Sequence, residues 1–201
     1  MNEVIKLAIF GNAGHAIDIK SVFLQKYPKG KVVFIEKEDE KYNVRKYSEY
    51  GYRFIIGIGD NKIRERVASI YKDLNWCNVI HCDSFLNNNC KIGTGCFIGY
   101  GVFISHNVNI HNHVIINANS SVGHGANLFD YSQICTNVSI GGEGVILKTG
   151  SFLGSGVSVI NKPISVGEWA KVSFGSVITK NVKPKSLYFQ YIKEKIIPIN
   201  D

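Results

Sequence analysis

Paired cysteines, long apolar runs and concentrated charge of one sign are all missing from this sequence. The five cysteines (Cys77, Cys82, Cys90, Cys96 and Cys135) are odd in number and nowhere form CxxC. That argues against a disulfide framework or zinc ribbon and for reduced thiols in a cytoplasmic protein. No apolar stretch approaches the ~20 residues that cross a bilayer, so no membrane insertion is expected. Met1–Phe10 resembles a signal peptide only superficially, because Glu3 and Lys6 lie inside it and Gly11 ends it. It reads as a first buried strand. The net charge of +7 is spread along 201 residues. Its densest stretch, Lys180, Lys183, Lys185, Lys193 and Lys195 with Tyr188, Phe189 and Tyr191, reads as a solvated tail. Nucleic-acid binding is therefore not expected, and the charge supports only a general attraction for phosphorylated ligands.

What is present is a repeat. From Ile80, steps of six reach Leu86, Ile92, Ile98, Ile104, Ile110, Ile116, Val122, Leu128, Ile134 and Ile140 without a break. One extra residue moves the register to Leu147, Leu153 and Val159, and a second, around Asn161–Pro163, to Val166, Val172 and Ile178. A six-residue period suits neither a 3.6-residue helix nor a two-sided strand. It suits a β-solenoid whose short strands each point one aliphatic side chain inward and then turn. Gly93, Gly99, Gly123, Gly141, Gly154 and Gly167 follow inward positions, where corners favour small residues. Three hexads make a coil of 18 residues, so residues 18 apart stack, and the ladder predicts between five and six coils.

The first 75 residues keep another rhythm. Val4–Phe10 reads as a strand, Ile17 to about Tyr27 as a helix, Lys31–Glu36 and Phe54–Ile58 as strands, and Lys62 to about Leu74 as a charged helix. Alternating strands and helices predict a small Rossmann-like parallel sheet at 1–76, joined without a linker to a solenoid at 77–201.

Two kinds of chemistry are legible. Gly11-x-x-Gly14 follows the first strand, Glu36 ends the second, and Gly59-Asp60-Asn61 follows the third. Glycines at a helix start let backbone N–H groups approach a phosphate, and an acid after the second strand is placed to bind a ribose. The plainer alternative is a tight turn with a surface acid, and nucleotide binding is the reading preferred here, helped by the second loop at a strand's carboxyl end. In the solenoid, His106 and His124 each follow an inward residue by two positions and lie 18 apart, so they should stack at one corner. Most single histidines are surface residues, but Ser120-Ser121-Val122-Gly123-His124-Gly125 surrounds His124 with small residues that leave room for a substrate.

These motifs carry a resemblance. Ile9-Phe10-Gly11-Asn12-Ala13-Gly14-His15, Ile58-Gly59-Asp60-Asn61 and Val177-Ile178-Thr179-Lys180 resemble the bacterial sugar O- and N-acyltransferases. That family joins a small nucleotide-binding domain to a left-handed parallel β-helix. The chain is most similar to the N-acetyltransferases of nucleotide-linked 4-amino-4,6-dideoxy sugars, then to sialic acid O-acetyltransferases. Ile116–His124 (INANSSVGH) matches the family's catalytic stretch. The match implies His124 as general base, Asn117 near the acceptor sugar and the Gly142 N–H on the thioester carbonyl. Stacking by 18 independently puts Gly142 one coil above His124. The resemblance further implies a homotrimer with acetyl-CoA between adjacent β-helices and no required metal. Gln133, Gly142, Gly154, Ser173 and Gly175 would contact the coenzyme. Gly11, Asn12, Gly14, His15, Glu36, Lys37, Gly59 and Asn61 would hold a nucleotide-linked amino sugar for surface-glycan synthesis. Three features depart from the family. Gly125 replaces an acid that follows the histidine in some relatives, Gln133 replaces a second histidine, and Gln190–Glu194 stands where a GVPAK motif closes the fold.

The expected reaction is direct attack of a neutral sugar amine on the thioester, without an acetyl-enzyme. Rival readings are O-acetylation of a sialic acid, a zinc-dependent hydratase using His106, His111 and His124, and a non-catalytic nucleotide-sugar-binding subunit.

Overall fold

The computed structural model describes residues 4–36 and 40–190. Lys37 and the basic tail from Tyr191 onward lie outside them. The chain opens with β1 (Lys6–Phe10), α1 (Gly14–Lys26), β2 (Lys31–Ile35), α2 (Glu40–Glu49), β3 (Arg53–Ile56) and α3 (Asn61–Ile70). The strands form a parallel sheet in the order β2-β1-β3. The described residues give this sheet three strands, so the likeness to a dinucleotide-binding sheet rests on this order and on the glycine loop after β1.

Alternation along β1 serves two cores. Leu7 and Ile9 pack with Ala16, Ile19 and Phe23 of α1, while Ala8 and Phe10 pack with Val44 of α2 and Val67 and Ala68 of α3. The chain leaves this unit through Asn75–Cys77, which pairs with Phe54 as a short extra strand: Phe54 N–H donates to Asn75 O and Cys77 N–H to Phe54 O, both at 2.9 Å.

The six-residue period then becomes a parallel solenoid. Eighteen short strands form three faces of seven, six and five strands, which is six turns among the described residues. The first face runs from Val79–Ile80 through Ile115–Ile116 to Leu187–Tyr188, one strand beyond the expected ladder. The second runs from Phe85–Leu86 through Ser121–Val122 to Val177–Ile178, and the third from Lys91–Ile92 through Asn127–Leu128 to Ile164–Val166. Val122 pairs with Ile140 at a spacing of 18, whereas Leu128 pairs with Leu147 and Leu147 with Val166 at 19. The register slips fall where the sequence puts them, and both lie at the corner between the second and third faces. The ladder residues from Ile98 to Ile178 fill one continuous core.

The small sheet docks on the first face through α1. Val79, Phe97 and Ile115 point outward from that face and are buried beneath Ile19 and Phe23.

Candidate functional site

After Val122, Gly123-His124-Gly125 turns the chain at the second–third corner. A Cβ on Gly123 would lie 2.7 Å from the Gly142 nitrogen, so only glycine allows the coils to close here. Gly125 has a φ of +68°, which favours glycine for the same turn. The His124 imidazole stacks on His106 with centroids 5.2 Å apart and planes within 6°. From above, a Cβ on Gly142 would sit 3.0 Å from His124 Cε1 and Nδ1. The ring therefore occupies a slot between an imidazole below and a bare glycine above. Its edge is exposed, and its nitrogens have no hydrogen-bond partner among the described residues. The stacking of His106, His124 and Gly142 follows the 18-residue spacing.

The Gly142 amide holds an unforeseen bond. Its N–H donates to Asn161 Oδ1 at 2.9 Å, although the sequence reading gives that N–H to a thioester. Asn161 belongs to the second register slip, directly above the first.

The other expected coenzyme residues lie elsewhere in the cross-section. Asn117, Gly154 and Ser173 line the first–second corner with Gly175 beside them, and Ser173 Oγ lies 3.0 Å from Ser176 Oγ. Gln133 points from the first face, with Oε1 3.4 Å from Arg64 Nη1. One chain thus brings His124 and Gly142 together and does not bring Asn117, Gln133, Gly154, Ser173 or Gly175 to them.

A second candidate region opens at the carboxyl ends of the small sheet. Gly11 has a φ of +90°, and its N–H donates to Ile35 O at 2.9 Å. Beside it lies a cavity of about 580 Å³ lined by Phe10, Gly11, Asn12, Glu36, Ile58 and the α3 residues Ile63, Arg66 and Ile70. Neither Glu36 nor Arg66 has an ion pair or side-chain hydrogen bond among the described residues, so an acid and a base face a slot lined mainly by apolar residues, with Asn12 beside them. Gly14 starts α1 with open space around it.

His15 and Asn61 do not line this slot. The His15 ring meets Phe97 edge-on at 4.9 Å, and its Nε2 is buried without a partner. Burial, reinforced by Arg64, lowers its pKa to about 4. Asn61 Nδ2 donates to Gly150 O at 3.0 Å, while Asp60 caps α3 by accepting from the Lys62 and Ile63 N–H groups. Gly59 O accepts from Arg64 Nη1. The sequence reading placed His15, Gly59 and Asn61 in substrate binding, whereas their side-chain and carbonyl contacts lie at the junction between the two units.

Arg64 at the centre of that junction escaped the sequence reading. It is 1% exposed, and its guanidinium donates to the carbonyls of His113 (3.1 Å), Ile58 (3.0 Å), Gly59 (3.1 Å) and Tyr131 (2.8 Å). Burial lowers its pKa to about 10, with Asp60 opposing. Nothing in the sequence separates it from Arg66, since only the helix face decides which of the two is buried.

The metal reading finds no convergence within one chain. His111 stacks on Phe129 at 4.5 Å at the third–first corner, away from His106 and His124. Among the described residues the only close group of metal-type donors is His81, Cys82 and Asp83. There Asp83 N–H already donates to His81 Nδ1 at 3.1 Å.

No protein-family model matches the chain, and no curated protein matches it. Solved structures do. PerB from Caulobacter crescentus, in complex with CoA and GDP-perosamine, is 22% identical with a TM-score of 0.86, over 94% of this chain and 95% of that one. The acetyltransferase domain of PglB from Neisseria gonorrhoeae, in complex with acetyl coenzyme A, is 18% identical with a TM-score of 0.86, over 94% and 97%. WeeI from Acinetobacter baumannii is 19% identical with a TM-score of 0.70, over 92% and 96%. The likeness establishes a shared fold over nearly the whole chain.

Proposed function

We propose that this chain is an acetyl-CoA-dependent N-acetyltransferase acting on a nucleotide-linked amino sugar, with His124 as general base. The observation that carries the reading is the unpartnered imidazole in its slot beneath Gly142. It sits on a fold shared over nearly the whole chain with proteins bound to CoA and GDP-perosamine or to acetyl-CoA. In this reading the solenoid is the left-handed β-helix of 77–201. The unit at 1–76 is the nucleotide-binding domain, with Glu36 on a ribose and Gly11, Asn12 and Gly14 near the phosphates.

The chemistry needs little machinery. A neutral amine attacks the thioester carbon, the carbonyl oxygen gains charge, and His124 takes the proton as the amide forms. A neutral imidazole carries one ring nitrogen with a free lone pair, which is the acceptor such a step needs. Holding both substrates in place supplies roughly 7–11 kcal/mol in favourable cases. A backbone donor to the oxyanion adds on the order of 3 kcal/mol. The Cys135 thiol stands at the first–second corner and is pushed up in pKa by burial, so no covalent relay through it is invoked.

The geometry also supports a homotrimer. The nucleotide domain covers the first face, and the second–third corner that carries His124 is the vertex opposite that face. The second face lies between that corner and the one bearing Asn117, Gly154 and Ser173. Its outer side carries the stacked, exposed pair Phe85–Phe103 and the small residues Ser121, Ser139 and Ser158. Packing three copies about this face brings His124 of one copy toward Asn117, Gly154, Ser173 and Gly175 of the next.

The test is thiol release from acetyl-CoA across a panel of nucleotide 4-amino sugars. His124→Ala should lower kcat at least ~100-fold. A loss under threefold with folding intact would contradict the role. Turnover of a sialic acid and of no amino sugar would move the acceptor from amine to hydroxyl.

A further inference from the structure

We infer that Asn161 is a placeholder for the acyl carbonyl: in the free chain its Oδ1 occupies, on the Gly142 N–H, the position that the thioester oxygen takes when acetyl-CoA binds. The inference rests on the acetyl-CoA reading above and adds to it a residue that controls access to the acyl subsite.

Three observations carry it. Gly142 is buried, so its N–H needs an acceptor whenever no ligand is present. The acceptor found, a carboxamide oxygen at 2.9 Å, is, like a thioester oxygen, the oxygen of an uncharged carbonyl. Asn161 is itself exposed, and its Nδ2 has no partner among the described residues, so the side chain gives up one bond when it swings into water. The backbone is built for this contact. A Cβ on Gly141 would lie 2.6 Å from Asn161 Cα, and both register slips of the solenoid occur at this corner.

The rival is a plain corner cap. Asn112 Oδ1 accepts from Thr94 N–H at 3.0 Å, Asp130 Oδ1 from Asn112 N–H at 2.7 Å and Asn181 Oδ1 from Ser165 N–H at 2.8 Å, each from the coil below. What sets Asn161 apart is its donor, the glycine whose α-carbon lies against the His124 ring. An oxygen displaced only by an acyl carbonyl predicts something a cap does not: discrimination between acetyl-CoA and CoA, which differ at that carbonyl.

The experiment is calorimetric titration of the full-length protein with acetyl-CoA and with CoA, in the absence of acceptor. Removing the competitor in Asn161→Ala should tighten acetyl-CoA about three- to tenfold, the worth of one neutral hydrogen bond, and leave CoA unchanged. Asn161→Asp places a charged acceptor on the amide and should weaken acetyl-CoA about tenfold relative to CoA. Equal changes for both ligands would reduce Asn161 to a cap. A fall in kcat for Asn161→Ala with the affinity ratio unchanged would make it a donor to substrate instead. Should the variants fail to fold, the wild-type Asn161 side-chain amide resonances answer alone. They should move with acetyl-CoA and stay with CoA, and an identical response to both overturns the proposal. Failure of the wild type to bind either ligand would refute the acetyl-CoA reading itself, and is distinct from all these results.

Discussion

In the small sheet, successive residues of one strand serve two different cores; in the solenoid, each strand sends one side chain inward and repeats that choice in every coil. Leu7 and Ala8 face opposite layers, whereas Val122 and Ile140 meet in the same column. The difference decides where chemistry can sit. A sheet packed on both sides offers only the loops at its strand ends, and the apolar slot with Glu36 and Arg66 opens there. A solenoid leaves the corners away from its docked partner free, so a reactive side chain at the second–third corner costs the core nothing. His124 follows its buried neighbour Val122 by two residues and still reaches solvent.

The contrast can be broken at the junction first. Arg64→Leu would leave four main-chain carbonyls short of a donor, and should cost about 3–5 kcal/mol. That loss should be confined to the small sheet, so chemical denaturation should become biphasic, with the solenoid transition retained. A loss below about 1 kcal/mol would refute the clamp.

Acid should reach the same junction. The His15 and His113 pKa values are held down to about 4 by burial first and by Arg64 second, with Asp130 opposing at His113. The unfolded chain protonates these groups near their ordinary value of ~6.5. It therefore binds more protons than the folded chain between about pH 6.5 and pH 4, and stability falls as pH drops through that window. Each group contributes up to about 1.4 kcal/mol per pH unit. His113→Phe, which keeps a ring between Tyr131 and Trp76, should flatten the slope of unfolding free energy against pH. An unchanged slope would show that His113 is not responsible.

The smallest effect lies in a corner remote from the junction. Asn137 has a φ of +57°, a conformation that asparagine tolerates better than most residues. Asn137→Ala should cost about 1 kcal/mol in equilibrium unfolding and Asn137→Gly about half that or less. Equal costs would mean the side chain, not the backbone, matters there.

How much of this was legible depended on whether a feature repeats. The inward ladder and the His106–His124–Gly142 stack are periodic and both register slips are breaks in that period, so spacing alone located them. Helix α2 left no such trace, because Val44 is the only buried side chain among its described residues 41–49. The strand Leu187–Tyr188 stands outside the hexad register. Arg64 and Asn161 are single polar residues whose importance lies in what another part of the chain presents to them: carbonyls for the first and one amide for the second. The family resemblance assigns His15 and Asn61 to the nucleotide sugar, and in the folded chain both side chains touch the solenoid, at Phe97 and Gly150.

The Arg64 clamp bears on how such a protein can drift over generations. Its guanidinium is gripped mainly by peptide oxygens, and every amino acid supplies one of those. Mutations along the solenoid corner can therefore exchange one side chain for another without unseating the small sheet, provided the chain keeps its path. The chemistry displayed along the solenoid is then free to diverge while the grip between the two parts stays the same.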